Sequence, residues 1–423
     1  MWNAGTAERL VDGEKAAARV APSTARRLRI LAITRIFPNA VEPLSAPFNR
    51  QQFAALAKLA DLSVMATIPW FPGSRFVKKS KTWSLRSVPA RDVIEGIDVA
   101  HPRVAYVPGL AGLSGALEIA SLLPGLLSRR RDVDVVLGSW AYPDGAAAVA
   151  LAKMIGVPAV IKVHGSDLNV QSKMFGPRKN LALALPRATR LVAVSAALGE
   201  KAISLGMPRE RVAIVQNGTD GSLFRVRERA EARAALDWPG AWPKKLVLYV
   251  GRIERAKGVI DLIKAFSAVA AKDVDLAVAL LGEGGAMAEV KALAAPLGDR
   301  VRFLGARPLS QVPQWMAAST LVTLPSHAEG SPNVIREALA CGRPVVATNV
   351  GGIPELVTSD ALGILAPLGD SAALGEALVD VANKGFDPAM IAARSGGSWE
   401  DSANALLAVL QVAYETHEKK DHG

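Results

Sequence analysis

The stretch KLVLYVGRIERAKGVIDLIKAFSAVA, residues 245–270, contains one complete unit of architecture. LVLYV is a short apolar run rich in β-branched and aromatic residues, as a buried strand requires. Gly251-Arg252 ends it, a charged loop follows, and Lys257-Gly258 opens IDLIKAFSAVA, an amphipathic helical stretch. The same succession recurs in both directions. Upstream lie the apolar strands LRILAIT (28–34), LSVMATI (62–68), DVVLGSW (134–140), AVIKVHG (159–165), LVAVSA (191–196) and VAIVQNG (212–218). Helical stretches such as AAAVALAKMIG (146–156) and AALGEKAISLG (196–206) separate them, and residues 69 to about 115 read as irregular. Downstream, DLAVALLG, VRFLG, LVTLP and PVVAT alternate with MAEVKALAAPL, VPQWMAAS and NVIREALACG. Strand alternating with helix means parallel sheets covered by helices on both faces.

The pattern stops at a polar bridge, roughly residues 219–245, and then restarts. With 423 residues the chain exceeds one ordinary core, so two α/β domains in series are expected. Half the residues are apolar and 21% are charged, a globular composition. The most apolar window, residues 145–161, is interrupted by Lys153 and Pro158, so no membrane span is expected. The first twenty residues lack an apolar core, so neither is a secretory signal. A single cysteine, Cys341, excludes an internal disulfide and reads as core packing. The net charge of +11 is one-sided: residues 1–220 hold 29 Lys and Arg against 16 Asp and Glu, whereas residues 221–423 hold 21 against 23. A field of that kind suits an anionic partner for the first half.

Three constellations carry chemistry. In SHAEGSPNVIREALACGRPVVATNVGG (326–352), a loop after a strand leads into a helix, with Ser331 expected as N-cap, Pro332 as first helical residue and Gly342 just past the end. Glu329 lies in the loop, and Asn333 and Glu337 share a helix face. Helix N-termini attract anions, and carboxylates accept hydrogen bonds from hydroxyls. Two such acids flanking a helix start fit a polyhydroxylated, phosphorylated ligand, although Glu337 alone would read as a solvated helix acid. The second constellation places Arg252 and Lys257 between a strand end and a helix start, a diphosphate site without the residue order of a P-loop. The third is VIKVHGSDLN, where His164 follows a buried strand. Weaker signals are Gly282, Gly284 and Gly285 after a strand, a hinge at Asn217–Asp220, and Asp132-Val133-Asp134, which reads as a strand entry and not a metal site. Residues 68–86 mix Trp70, Phe71, Phe76 and Trp83 with Arg75, Lys78, Lys79, Lys81 and Arg86. With Arg129–Arg131, they suit an anionic lipid surface.

On these residues the chain resembles the family-4 retaining glycosyltransferases of the GT-B fold. The Glu329/Glu337 pair and Gly251-Arg252 through Lys257-Gly258 carry the resemblance, which spans residues 28–416. HGSDLN, ITRIFPN and PWFP are similar to teichuronic acid and exopolysaccharide biosynthesis enzymes of that family. The implied architecture is α/β: two Rossmann-like, doubly wound parallel-sheet domains facing a central cleft. Residues 1–27 would be a flexible tail. Residues 28–220 would bind the acceptor, completed by a helix at 399–416, and residues 221–398 would bind the nucleotide sugar.

The resemblance further implies a retaining, metal-independent hexosyltransferase with no cofactor, using a nucleoside-diphosphate sugar as co-substrate. Its role would be cell-surface polysaccharide synthesis on a lipid-linked glycan, at the inner face of the plasma membrane. Arg252 and Lys257 would hold the diphosphate, Glu329 the donor sugar with Gly330, Ser331, Pro332 and Asn333 beside it, and Glu337 the ribose. His164 would lie near the transferred sugar, so that His164, Glu329, Arg252 and Lys257 form the catalytic set. The chain departs from the family at Ser45-Ala46-Pro47-Phe48, where many relatives have glycine. A nucleotide-sugar epimerase of the same fold and a basic nucleic-acid-binding protein are the competing expectations; the latter lacks a recognised motif.

Overall fold

Strand β1 (Arg29–Thr34) shows why the apolar runs form buried strands. Leu31 and Ile33 enter one core layer, while Ile30 and Ala32 enter the layer on the opposite face. A strand covered on both sides needs an apolar residue at every position, and parallel sheets meet that condition. The computed structural model of the chain describes residues 26–71, 81–107 and 109–421. Most of the predicted tail, and residues 72–80 of the aromatic and basic segment, lie outside the described residues.

Two compact units divide the chain. One comprises the described residues up to Asn217 together with Trp399–Asp421, and the other comprises Gly218–Ser398. The sheet of the first runs β10 (Val212–Ile214), β9 (Arg190–Ala193), β8 (Ala159–Val163), β7 (Val135–Ser139), β1, β2 (Asp61–Ala66), β5 (Ile97–Ala100), β4 (Arg91–Ile94). All pairs are parallel except β4 with β5. The order reverses between β1 and β7, so the loops after these neighbours leave in opposite directions and open a crevice at their carboxyl ends.

The segment expected to be irregular contains regular structure. β4 and β5 form a hairpin whose turn, Glu95-Gly96, has φ of 53° and 77°. Both central residues are left-handed, as a two-residue hairpin turn demands. β3 (Ile68–Trp70) pairs in parallel with β6 (Arg103–Ala105). Within the continuous helical run Ala111–Asp132 one 18-residue window has a mean hydropathy of 1.3, enough by length and composition only to cross a bilayer, and 22% of that window is buried. The chain's last helix, Trp399–Asp421, buries Trp399, Ala403, Leu406, Leu410 and Ala413 against the first sheet. That spacing is one helical stripe. Near its start Ser402 Oγ donates to the Gln216 carbonyl at 2.6 Å and accepts from Gln52 Nε2 at 2.8 Å.

The second unit has a six-stranded, wholly parallel sheet in the order β13 (Val301–Gly305), β12 (Leu276–Leu281), β11 (Lys245–Val250), β14 (Leu321–Leu324), β15 (Val345–Thr348), β16 (Gly363–Ala366). Its reversal lies between β11 and β14. β16 and the helix Ser371–Asn383 that follows it had no counterpart in the sequence reading.

Candidate functional site

The two loops at the β11/β14 reversal carry the predicted residues of the second unit. After β11 the chain turns at Gly251 and passes through Arg252. A short 3-10 turn, Arg255–Lys257, follows before the helix Val259–Val269. Gly258 sits between them with φ 68°, and a Cβ there would lie 1.7 Å from the Pro325 carbonyl oxygen. Only glycine meets both demands. After β14, His327 N–H donates to the Ala256 carbonyl at 3.0 Å, and Thr348 Oγ donates to the Ser326 carbonyl. Gly351, φ 55°, backs so closely on the loop that a Cβ would lie 1.9 Å from the Glu329 carbonyl oxygen. Gly282 similarly packs against the Gly251 carbonyl, so its close approach is to a neighbouring loop.

This scaffold brings Lys257 and Glu329, 72 residues apart, into contact: Lys257 Nζ donates to Glu329 Oε1 at 2.6 Å. Their side chains are 25% and 11% exposed, so the pair is largely withdrawn from water and still reachable. Arg252 is different. Its side chain is 69% exposed and pairs with Glu254 at 2.8 Å, a geometry that contributes little to stability and leaves the guanidinium free to exchange partners.

The expected cap is corrected. The helix runs Asn333–Ala340 with Pro332, extended at ψ 116°, as N-cap and no side-chain cap bond from Ser331. The φ of Pro332, −73°, would suit a first helical residue, but its extended ψ puts it outside, so the helix starts one residue later than expected. Gly330 and Pro332 are buried, and Ser331 and Asn333 are partly so. Glu337 lies one turn beyond Asn333, and burial raises its carboxyl from an ordinary 4.5 to about 7. Cys341 is fully buried, and burial pushes its thiol to about 12, as inert packing requires.

Sequence reasoning missed Tyr249. It sits on β11, fully buried, and its hydroxyl donates to the Arg252 carbonyl at 2.6 Å. Burial raises its phenol, and the charges of Glu329, Arg252 and Glu254 all reach it. Tyr249 thus clamps the Gly251-Arg252 loop from beneath. The only signal in the sequence was a polar-tipped aromatic inside an otherwise aliphatic strand.

The Gly258 contact makes a direct prediction. Gly258→Ala should push the 3-10 turn off Pro325 and part Lys257 from Glu329, lowering stability by roughly 2–4 kcal/mol. A denaturant midpoint equal to that of the parent would refute it.

In the first unit, the loops at the β1/β7 reversal are joined in the same way. Arg35 N–H and Nε donate to Asp144 at 2.6 and 3.0 Å, and Arg35 Nη2 lies 3.6 Å from Glu118. Both carboxyl groups are fully buried and raised by desolvation, with Arg35 opposing the rise. His164 follows β8. Its backbone N–H, with those of Gly165 and Ala141, donates to the buried Asp167 carboxylate. Its ring packs against Phe48 at 4.9 Å and Trp140 at 6.2 Å. Burial, and then Lys162, hold its pKa well below the ordinary value, so the imidazole is neutral. Asp134 is occupied by Arg26 and Arg29 and serves as a strand-entry clasp.

Residues 45–218 match the family described as glycosyl transferase 4-like domain, and residues 244–384 match glycosyl transferases group 1. The chain is 32% identical to TuaC of Bacillus subtilis, by name a teichuronic acid biosynthesis glycosyltransferase, over 78% of this chain and 83% of the relative. It is also 32% identical to D-inositol 3-phosphate glycosyltransferase 1 of Catenulispora acidiphila, over 78% and 84%. Among solved structures, Anabaena Alr3699/HepE in complex with UDP and glucose aligns with TM-score 0.62 at 22% identity, covering 92% of this chain and 99% of that one. Sucrose-phosphate synthase from Thermosynechococcus elongatus aligns with TM-score 0.67 at 19% identity, covering 93% and 98%.

Proposed function

Because the chain belongs to the family-4-like glycosyltransferases of the GT-B fold, we propose that it moves a hexose from a nucleoside-diphosphate sugar to a glycan acceptor with retention of anomeric configuration. The observation that carries this reading is the Lys257–Glu329 pair across the β11/β14 reversal, with Glu337 one turn into the adjoining helix. Departure of the diphosphate breaks the bond from the sugar's anomeric carbon to the phosphate oxygen and leaves the electron pair on that oxygen. Lys257 and Arg252 balance the new charge. Glu329 accepts hydrogen bonds from sugar hydroxyls, Glu337 from the ribose, and the backbone of Gly330, Ser331, Pro332 and Asn333 lies against the donor. The acceptor hydroxyl adds on the face the diphosphate leaves, and its proton passes to the departing phosphate. For His164 we propose a role toward the transferred sugar. A neutral imidazole is the form that suits it, since an imidazolium would repel the positive charge developing on the ring.

The test is a thermal-shift screen of nucleoside diphosphates and nucleotide sugars. A ligand at 100 times its Kd stabilises by about 2.7 kcal/mol. No response to any of them would sink the reading, and conversion of the donor without an acceptor would make the protein an epimerase.

For the acceptor, we propose a lipid-linked glycan reached from an anionic membrane surface by the basic first unit. Phe175 is 78% exposed with Lys179 Nζ 4.3 Å over its ring, and Leu113, 49% exposed, belongs to the segment whose Gly112 packs on Gly176. Trp70 and Trp83 are each 43% exposed. Vesicles containing anionic lipid should float with the protein at low salt and lose it as salt rises. Phe175→Ser with Leu113→Ser should weaken flotation. Equal binding to neutral vesicles, or preference for an oligonucleotide, would contradict the proposal.

A further inference from the structure

Part of the polar bridge at residues 219–245 folds beside Arg343 into an arginine cluster within the second unit. Arg227, Arg229 and Arg233 are half-buried, and Arg343 is 4% exposed. Arg233 is held by two contacts: its Nε donates to the Ala318 carbonyl at 3.1 Å, and its guanidinium lies 5.1 Å over the ring of Trp242. Arg343 donates from Nε, Nη1 and Nη2 to the carbonyls of Cys341, Ser319 and Arg227 at 3.2, 3.4 and 3.5 Å. Arg229, one turn before Arg233 on the helix Arg229–Ala234, has no such anchor among the described residues. Burial first, and then the charge of Arg229, lowers the pKa of both Arg233 and Arg343. Arg229 therefore stands close enough to repel both.

Partly desolvated like charges are costly unless an opposite charge meets them. Glu228 and Glu231 lie on the same stretch, yet none of these four arginines forms an ion pair with a carboxylate among the described residues, and Glu228 acts on Arg343 through its charge alone. The unpaired polar atoms are all donors. Arg227 Nε, Arg229 Nε, Arg233 Nη2 and Trp315 Nε1 are buried without a hydrogen-bond partner among the described residues. Trp315 is 2% exposed and packs on Trp242, the ring under Arg233. Neither a guanidinium nor an indole can accept a hydrogen bond. Surplus donors carrying positive charge are complementary to a group that is negative and only accepts, and phosphate is a compact group of that kind. The cluster also lies away from the donor loops. Ala318 and Ser319 precede β14 and Arg343 precedes β15, whereas Lys257 and Glu329 lie in the loops after β11 and β14. In a parallel sheet these are opposite ends of the strands, roughly 13–20 Å apart.

We propose that Arg229, Arg233 and Arg343 form a second anion site, at the amino ends of the second sheet, that binds a phosphate group, free or as a small ester. Arg233 and Arg343 are oriented beforehand by the carbonyls that they bond, and Arg229 supplies the unanchored third cation. The second half of the chain has no basic surplus, with 21 Lys and Arg against 23 Asp and Glu, so the cluster is local and suits a small anion better than a polymer. The proposal does not depend on the transferase reading, because its residues lie at the other end of the strands.

Thermal unfolding of the full chain, titrated with inorganic phosphate or with glycerol phosphate at constant ionic strength, tests it. Both the parent and Lys257→Ala should gain Tm saturably, and the tighter of the two probes tells free phosphate from an ester. Arg229→Gln should lose about ten- to a hundredfold in phosphate affinity, the usual loss for a charge-assisted hydrogen bond. Without phosphate the same variant should be at least as stable as the parent, since it removes a repelling charge, so loss of the site is told apart from loss of the fold. Arg233→Gln should lose a similar factor and covers the case in which Arg229→Gln fails to fold. An undiminished phosphate response in these variants would overturn the proposal, and so would a response that chloride reproduces, which is screening. A response lost in Lys257→Ala and kept in Arg229→Gln would overturn it by assigning the phosphate to the donor loops. Binding of an oligonucleotide or acidic peptide through these arginines, with none of phosphate, would overturn it as well. Failure of nucleotide sugars to bind, in contrast, bears on the transferase reading alone.

Discussion

Lys257→Ala is expected to lower kcat about 10²–10³-fold, the usual loss when one preorganised group facing a departing oxyanion is removed. Glu329→Ala should fall in the same range, and the double variant should be little worse than either. Such non-additivity follows from the contact. Lys257 Nζ and Glu329 Oε1 are 2.6 Å apart with both side chains largely shielded. Removing one partner therefore misplaces the other and leaves its charge unpaired. Arg252→Ala should cost less, because its side chain is mostly in water and its present partner, Glu254, lies only two residues away. Single-turnover rates with saturating donor would check this. Either variant retaining activity within about threefold of the parent would remove that pair from the mechanism.

The second large effect concerns pH. Glu337 holds its proton to about 7 in the folded chain, against an ordinary 4.5. Between those values the folded state binds more protons than the unfolded state. The stability this group contributes is therefore full below about 4.5 and lost as pH rises through about 7. Glu337→Gln should accordingly make the ligand-free protein more stable than the parent above pH 7, by roughly 2–3 kcal/mol. Nucleotide binding should show the opposite sign. Ribose hydroxyls donate to the ionised carboxylate, favour it and lower its pKa. Affinity should therefore rise with pH through about 7, and binding at neutral pH should release a proton. Calorimetry in buffers of different ionisation enthalpy reads that proton directly. A parent protein that binds nucleoside diphosphate with no proton release would refute the ribose role.

Much of this arrangement was legible before any coordinates. The strands of both sheets were readable because a doubly covered strand is apolar at every position. The loops after β11 and β14 were readable because their charged residues interrupt such runs. What escaped had physical causes. The Arg91–Ala100 hairpin is largely exposed and turns on Glu-Gly, so neither a buried run nor a common turn pair announces it. Ser331 looked like a cap, and the extended ψ of Pro332 displaced the helix start by one residue. Tyr249 and the arginine cluster act through partners chosen by tertiary proximity. Arg227 and Arg343, 116 residues apart, meet only in the fold. At Ala46 the departure from glycine was visible, but its outcome was not: alanine there adopts the left-handed conformation that glycine would take at little cost.

The return of Trp399–Asp421 to the first sheet has a consequence for biogenesis. A ribosome releases the second unit's residues, Gly218–Ser398, as one uninterrupted stretch. The first unit, begun earlier, lacks a stripe of its own interior until the terminal helix emerges. Its sheet has Leu137, Val160 and Val192 short of their helical cover until then, so the second unit, although translated later, is the first to have all of its residues available.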